Sequence, residues 1–334
     1  MEWGLPWPGA EIAAEAEKAG ATAFCAGEFA DHNAYLSTAE MAAGTTTAQV
    51  GPGIAYAFAR SPFVHASAIR HLSKTAPGRL FLGLGAGTRR MNEDWFATPS
   101  GSPARRMAEM IAAIRAYLTA ENWSHIETDG EFYPVKADIR APVLGRLDVP
   151  ILVGAFNKIM IRTVGRVADG VLGHGLFTDA WWTEVVEPAL AEGAAAADRD
   201  VSQIRRWGWV ITAINDEDPE RARLDARRQV AFYLTVRTYD RLIELHGWEA
   251  QVEGVRKAFR AGDNDAMAAA VTDDMLAEIA VCGTTDDAIA TLRRRKVLPQ
   301  LGFLATPSFL VGGKRQAHYA RAAVATMDRF TRTA

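Results

Sequence analysis

Short apolar runs alternate along this chain with stretches whose apolar residues repeat at helical spacing. The clearest run covers residues 80–84 and breaks into a glycine loop at 85–87. A continuous apolar run bounded by glycines predicts a strand buried on both faces of a parallel sheet. Further on, Ser102 and Pro103 are typical of a helix start, with a capping hydroxyl followed by proline, and the helical spacing then continues to Leu118. The predicted unit is therefore strand, glycine loop, helix.

The same alternation recurs along the whole chain. It predicts eight strands, near residues 1–6, 22–26, 47–54, 80–84, 150–154, 168–173, 207–213 and 302–307. The helices between them are predicted at residues 11–19, from a Ser37 cap to 43, and at 62–72, 103–118, 158–167, 179–197, 284–295 and 316–330. Residues 122–147 alternate aromatic and polar positions, which predicts a hairpin insertion, and residues 219–280 are mostly helical.

Strands alternating with helices imply a parallel sheet, either open and doubly wound or closed into a barrel. Eight units and 334 residues favour the barrel. The expected fold class is α/β, a (β/α)8 TIM barrel with an insertion after the fourth helix and extra helices before the last strand. We expect residues 1–334 to form this single domain.

In such a barrel the active site lies at the carboxyl ends of the strands. This rule selects polar or glycine-rich segments that follow predicted strands. They are Asp31 and His32, Gly51 to Ala55 (with Gly53 and Ile54), Gly85 to Thr88 (with Ala86 and Gly87), Gly154 to Lys158 (with Ala155, Phe156 and Asn157), and His174.

Two of the seven histidines are candidates for chemistry. His32 follows Asp31 directly, and a carboxylate in that position can fix the tautomer of the ring. The alternative for this pair is a helix or turn cap. His174 stands between two glycines, so a turn role is its alternative. The other five are expected at the surface or hydrogen-bonded in the core, namely His65, His71, His125, His246 and His318.

The segment from Gly154 to Lys158 places a strand end against a helix start. Free amides at such a start bind anions, and the side chains of Asn157 or Lys158 can add contacts. A plain helix cap is the alternative. No histidine and carboxylate spacing is typical of a metal site, and neither a G-x-S-x-G nor a Walker sequence is present. We expect no metal.

Composition limits the possible partners. The net charge of -3 gives no reason to expect nucleic acid or an anionic membrane as a partner. Cys25 and Cys282 are expected to be free thiols. No positively charged segment precedes an apolar run at the start of the sequence, and no apolar run is long enough to span a bilayer. We therefore expect a cytoplasmic protein.

Taken together, these segments resemble the bacterial luciferase-like superfamily, in particular its coenzyme F420-dependent oxidoreductases of the methylenetetrahydromethanopterin reductase type. Each piece is weak alone, but they occur in the family's order over nearly the whole chain. The pieces are Ala30-Asp31-His32, Val50 to Ile54 with Arg60-Ser61-Pro62, Pro77 to Gly87, Arg106-Met107, Pro150 to Ala155, Val167 to Val171 and Val281 to Thr285.

The resemblance implies a barrel with F420 across its carboxyl-end face, usually in a homodimer. The ring would lean on a bulge with a non-proline cis peptide, which falls here at Gly53-Ile54. The phosphate would lie near residues 154–158, and residues 85–88 would border the ring. Asp31 and His32 would lie beside the reactive carbon, with His32 as proton donor.

Two departures from the family pattern narrow this expectation. Thr88 and Leu36 replace the glutamate and tryptophan of F420-dependent glucose-6-phosphate dehydrogenases, which argues against sugar-phosphate oxidation. Phe156 replaces a residue that is often glycine, which narrows the phosphate end.

The leading hypothesis is hydride transfer between the deazaflavin C5 and a small organic substrate. The alternatives are an FMN-dependent luciferase-like monooxygenase and a non-catalytic flavin- or deazaflavin-binding protein. The sequence does not name the substrate.

Overall fold

A computed structural model describes residues 1–140, 142 and 145–332. The chain divides into two compact units. The terminal unit comprises Met1–Ala23, Gly173–Pro188 and Trp207–Ala334, and the central unit comprises Phe24–Leu172 and Ala189–Arg206. The expectation of a single domain over residues 1–334 stays a prediction.

The strands begin and end close to the predicted apolar runs. Their bounds are β1 Glu2–Pro6, β2 Ala23–Ala26, β3 Gln49–Pro52, β4 Ala55–Tyr56, β5 Leu82–Gly85, β6 His125–Thr128, β7 Val135–Asp138, β8 Ile151–Gly154, β9 Gly170–Gly173, β10 Arg205–Ile214, β11 Val281–Gly283 and β12 Leu301–Ala305. The predicted third strand, 47–54, is interrupted at Gly53 and Ile54, so that it forms β3 and β4. The three-residue strand β11 was not predicted.

The helices fill the intervals between the strands. Their bounds are α1 Ala10–Lys18, α2 Ala34–Gly44, α3 Pro62–Leu72, α4 Pro103–Thr119, α5 Lys158–Val167, α6 Asp179–Trp181, α7 Glu187–Ala195, α8 Pro219–Leu234, α9 Asp240–His246, α10 Glu249–Ala261, α11 Asn264–Ala269, α12 Asp273–Ile279, α13 Thr285–Arg294 and α14 Gly313–Arg332. Helices α8 to α12 precede the last strand, as predicted.

Parallel pairing organises the strands of each unit. In the central unit β4, β5, β8 and β9 are neighbours in that order, and β2 lies beside β3. In the terminal unit β12 lies between β1 and β10, and β11 pairs with β10. Strands β5 and β8 are fully buried except at Gly154, as their continuous apolar sequences predict.

The predicted insertion is an antiparallel hairpin of β6 and β7 that follows the fourth helix. Ile126 and Val135 of the hairpin pack in one cluster with Ala113 of α4. Burial of these apolar side chains attaches the hairpin to the central unit. Residues 141, 143 and 144 of the predicted range 122–147 lie outside the described residues.

Three predicted helix details are wrong. Helix α2 begins at Ala34, and the Asn33 side chain, not that of Ser37, caps it by accepting the amide hydrogens of residues 35 and 36. The hydroxyl of Ser102 makes no capping bond to α4. The predicted helix 179–197 is divided into α6, a π-helical turn over 182–186, and α7.

Both cysteines are free, as predicted, with Cys25 buried and Cys282 partly buried. Among the described residues, no helix combines the length and the apolar character that crossing a membrane requires. The same residues contain no cluster of three or more histidine, cysteine or acidic side chains that could hold a metal ion.

Candidate functional site

The side chain of Ile54 lies against the carboxyl ends of β5 and β8. In the register of these strands Gly85 is opposite Gly154. A Cβ atom added to Gly85 would lie 2.7 Å from Cδ1 and Cγ1 of Ile54, and one added to Gly154 would lie 3.1 Å from its Cγ2. A Cβ at Gly85 would force the Ile54 side chain to shift, and one at Gly154 would require its Cγ2 to give way by a few tenths of an ångström. The structure thus brings together three of the predicted segments, 51–55, 85–88 and 154–158.

The other glycines of the third-strand segment also allow close packing. A Cβ at Gly51 would lie 2.1 Å from the carbonyl oxygen of Phe81, and one at Gly53 would lie 2.8 Å from Cβ of Cys25. The Gly53-Ile54 peptide bond is cis, as the resemblance implies. Ala55, the next predicted residue, is buried in β4 and pairs with Leu84.

The loop after β5 is held by Asn92, a residue that the sequence reasoning missed. Its buried side-chain amide donates to the carbonyl oxygens of Ala86 and Thr88, at 2.8 Å each. Gly87 adopts a left-handed conformation, with φ 67°. The Thr88 hydroxyl accepts the amide hydrogen of Met91 at 3.2 Å, at the start of a π-helical turn over 91–95. This loop is therefore fixed by its own residues.

Asp31 and His32 form the predicted side-chain pair. His32 Nδ1 lies 2.6 Å from Asp31 Oδ1, and this hydrogen bond holds the pKa of the Asp31 carboxyl below its ordinary value. Because the carboxylate accepts the hydrogen on Nδ1, the neutral ring keeps Nε2 as its second, unprotonated nitrogen. Both side chains are exposed, and the backbone groups of His32 and Phe29 bond each other across the loop.

A partly buried acid near this pair, Glu28, was not singled out from the sequence. Its carboxylate accepts hydrogen bonds from both terminal nitrogens of Arg60 and from the amide of Tyr56. Burial alone would raise the pKa of Glu28, but these hydrogen bonds outweigh burial and the pKa is lowered. The available signal was position, because Glu28 is only two residues beyond the end of β2.

The segment from Gly154 to Lys158 joins β8 to α5. Ala155 and Phe156 are buried, and Asn157 stands at the helix start without making a side-chain cap. The ammonium group of Lys158 lies 3.6 Å from the carboxylate of Glu192, which is a surface pair. The first-turn amides of α5 therefore have no side-chain acceptor from their own cap residue.

His174 belongs to the terminal unit. Its Nδ1 accepts the amide hydrogen of Leu176 at 3.2 Å, so the neutral ring carries its hydrogen on Nε2, which lies 3.1 Å from the hydroxyl of Tyr239. Burial lowers the pKa of His174 to about 4. The ring is therefore neutral at pH 7 and supplies no acidic proton there.

A sequence model of the luciferase-like monooxygenase family matches residues 8–299. The chain belongs to this family. It is 35% identical over 272 residues to the uncharacterized protein Rv1360 of Mycobacterium tuberculosis, which covers 80% of each chain. It is 30% identical over 264 residues to 5,10-methylenetetrahydromethanopterin reductase of Methanolobus tindarius, which covers 78% of each.

Solved structures of two classes share the fold. The coenzyme F420-dependent tetrahydromethanopterin reductase from Methanopyrus kandleri superimposes with a TM-score of 0.76 at 23% identity, covering 96% of both chains. The FMN-bound oxygenating constituent of 3,6-diketocamphane monooxygenase from Pseudomonas putida gives a TM-score of 0.66 at 17% identity, covering 99% of this chain and 98% of the other. The match confirms the predicted fold class, the TIM barrel of the luciferase-like proteins. Proteins similar to this chain thus include an F420-dependent reductase and an FMN-binding monooxygenase.

Proposed function

We propose that this protein is a coenzyme F420-dependent oxidoreductase that acts on a small organic substrate. The observation that carries the proposal is the contact of Ile54 with the positions of Gly85 and Gly154. It builds one apolar surface from three strand ends, and barrel enzymes bind their ligands at such ends. The 30% identity to a methylenetetrahydromethanopterin reductase, together with the structural match to a coenzyme F420-dependent tetrahydromethanopterin reductase, supports F420 as the cofactor.

The residues of this surface fit the proposed cofactor. Ile54 offers an apolar contact for a flat ring, and Gly85 to Thr88 form a backbone-lined border beside it. The first-turn amides of α5, which Asn157 does not cap, are suited to a phosphate group. Bound F420 would supply a hydride donor or acceptor at its C5.

In this proposal His32 moves a proton. Asp31 holds the ring through Nδ1, so that Nε2 is directed to a second partner. A protonated His32 donates from Nε2 to a substrate and keeps its orientation while doing so, because the Asp31 contact is retained in both charge states. His174 takes no part in proton transfer in this proposal, since its Nε2 hydrogen is directed to Tyr239.

The second candidate is an FMN-dependent monooxygenase, which the structural match to an FMN-bound monooxygenase favours. A non-catalytic binding protein is the third. Titration of the purified protein with F420 and FMN, followed by fluorescence, separates the first two. We expect F420 to bind at least tenfold more tightly, which is about 1.4 kcal/mol. Equal or reversed affinities would overturn the proposal. Oxidation of reduced F420 in the presence of candidate carbonyl or alkene substrates then distinguishes an enzyme from a non-catalytic binding protein.

The phosphate end is tested with a charge at the start of α5. We expect Ala155→Asp or Phe156→Asp to weaken cofactor binding about fivefold or more, because a carboxylate near the phosphate adds roughly 1 kcal/mol of repulsion. Ala155→Asn and Phe156→Asn are matched controls of the same shape without the charge. If the Asp and Asn variants bind the cofactor equally, the phosphate lies elsewhere.

We also propose that residues 1–334 act as one domain in a cytoplasmic homodimer. The relatives' coverage, 78 to 80% of each chain, supports one unit of function. Light scattering of the purified protein measures the mass directly, and a monomer at working concentration would contradict the dimer.

A further inference from the structure

The carboxylate of Glu28 holds two loops of the candidate site at once. Its side chain is only 8% exposed. Arg60 Nη1 donates to it at 2.8 Å and Nη2 donates to its other oxygen. The amide of Tyr56 donates at 2.9 Å and that of Ala34 at 3.4 Å. Four donors therefore converge on a single buried carboxylate, which satisfies all of them.

The backbone of this strand end adds a second attachment. The amide of Glu28 donates to the carbonyl oxygen of Ile54 at 3.0 Å, and the amide of Gly53 donates to that of Ala26 at 2.8 Å. Residues 53, 54 and 56 are thus bonded to Ala26 or Glu28, at and just beyond the end of β2. The position of Ile54 depends on these bonds.

The same carboxylate closes the loop that carries Asp31 and His32. This loop leaves Glu28 and enters α2 at Ala34, and the carboxylate contacts the amide of Ala34. The Glu28 residue therefore forms one end of the loop, and its carboxylate holds the other end at Ala34. The two catalytic candidates lie between these ends.

Arg60 is held in place from its other side. Its guanidinium lies 5.3 Å from the ring centroid of Tyr35, whose hydroxyl bonds Nδ1 of His65. His65 Nε2 lies 3.0 Å from the carbonyl oxygen of Ala57. Burial lowers the pKa of His65 to about 4, so the neutral ring donates from Nε2 to Ala57 and accepts from Tyr35. These contacts therefore connect Arg60, through Tyr35 and His65, to Ala57 in the segment that follows Ile54.

We propose that Glu28, through its ion pair with Arg60, is a positioning residue that fixes Ile54 and the Asp31–His32 loop in the arrangement that binds the cofactor. The inference rests on the proposed function. The negative charge is essential, because Glu28→Gln keeps the shape but leaves the guanidinium without its counter-charge. The NH2 group of the new glutamine would also face the N–H donors of Arg60 or Tyr56, with which it cannot hydrogen-bond. The segment 53–60 then loses its fixed position, and cofactor affinity falls with it.

The test compares Glu28→Gln with Glu109→Gln. Glu109 is a matched control because its carboxylate likewise accepts two backbone amides, those of Phe132 at 2.7 Å and Tyr133 at 3.1 Å, but in the hairpin insertion. The measurements are melting temperature, F420 and FMN affinity by fluorescence titration, and hydrogen exchange of the peptide covering residues 53–60. We expect both variants to melt earlier. Only Glu28→Gln should bind the preferred cofactor at least tenfold more weakly and exchange faster at 53–60.

Unchanged affinity in folded Glu28→Gln would overturn the inference, and so would equal weakening by Glu109→Gln. If Glu28→Gln does not fold, Glu28→Asp takes its place, since it keeps the charge but withdraws the carboxylate by one methylene. Its affinity should fall about threefold or more, and an unchanged value would overturn the inference. If the unmodified protein binds neither F420 nor FMN, the proposed function fails and the inference fails with it.

Discussion

The contact between Ile54 and Gly85 gives the most direct test of the site's packing. In Gly85→Ala the new Cβ would lie 2.7 Å from two carbons of Ile54. Carbon atoms in favourable contact are about 3.5 to 4.0 Å apart, so one group must move by roughly 1 Å. The atoms met belong to a side chain, so Ile54 is expected to leave its rotamer while the strands stay paired. Overpacking of this kind costs about 1 to 3 kcal/mol, and we expect Gly85→Ala to lower the free energy of unfolding by about 2 kcal/mol.

A double-mutant cycle isolates this clash. Ile54→Ala removes the three carbons beyond Cβ, so adding Gly85→Ala to it should cost little. We expect a coupling energy of about 1 to 2 kcal/mol in favour of the double variant, well above the roughly 0.3 to 0.5 kcal/mol seen for independent sites. Unfolding in urea followed by circular dichroism measures all four proteins, with the slope checked for constancy.

A control variant separates the clash from the general effect of replacing glycine. Gly101→Ala adds a Cβ with nothing within 4 Å and without a left-handed φ, and it should change stability by less than about 0.5 kcal/mol. Additive effects of Gly85→Ala and Ile54→Ala would refute the packing argument. Because the proposed cofactor contacts Ile54, displacement of this side chain should weaken cofactor binding. We therefore expect Gly85→Ala to bind the cofactor more weakly than Gly101→Ala does.

Two further predictions concern histidines. His32→Ala should still bind the cofactor, but its kcat should fall about 10² to 10⁴-fold. His32→Gln should show the same fall in kcat, because glutamine can hydrogen-bond but cannot transfer a proton. Near-normal single-turnover hydride transfer in folded His32→Ala would remove His32 from the mechanism. The pKa of buried His65 is lowered to about 4, so the unfolded state binds its proton first and the free energy of unfolding should fall by about 3 kcal/mol between pH 6.5 and pH 4. His65→Gln should flatten that acid limb in pH-dependent urea unfolding, and an unchanged slope would contradict the neutral buried ring.

Local signals in the sequence determined the elements and their order. Helix α3 at Pro62–Leu72 and helix α5 at Lys158–Val167 were predicted to the residue. For α3, the Ser61 hydroxyl caps the start and proline follows it directly. The glycines of the candidate site were also predictable, because an apolar run ending in glycine marks a strand end whatever surrounds it.

Choices between equivalent local signals needed the tertiary structure. Asn33 and Ser37 are both competent caps four residues apart, and the helix begins where the chain leaves β2 and where the Glu28 carboxylate also meets Ala34. Strand β11 is only three residues long and exists because β10 offers it a partner. Sequence periodicity over three residues carries too little information to predict such a strand.

The construction of the site was decided at long range. Glu28 is 32 residues from Arg60, and Gly85 is 31 positions from Ile54, so no local pattern links the members of either pair. Residue types told us that a carboxylate, a guanidinium and several glycines were present. Which of these groups meet depends on which strand ends are neighbours in the parallel sheet. The low exposure of the Glu28–Arg60 pair then strengthens its hydrogen bonds compared with those of a pair in water. The sequence alone determined the units of the barrel, and packing between them decided which side chains meet.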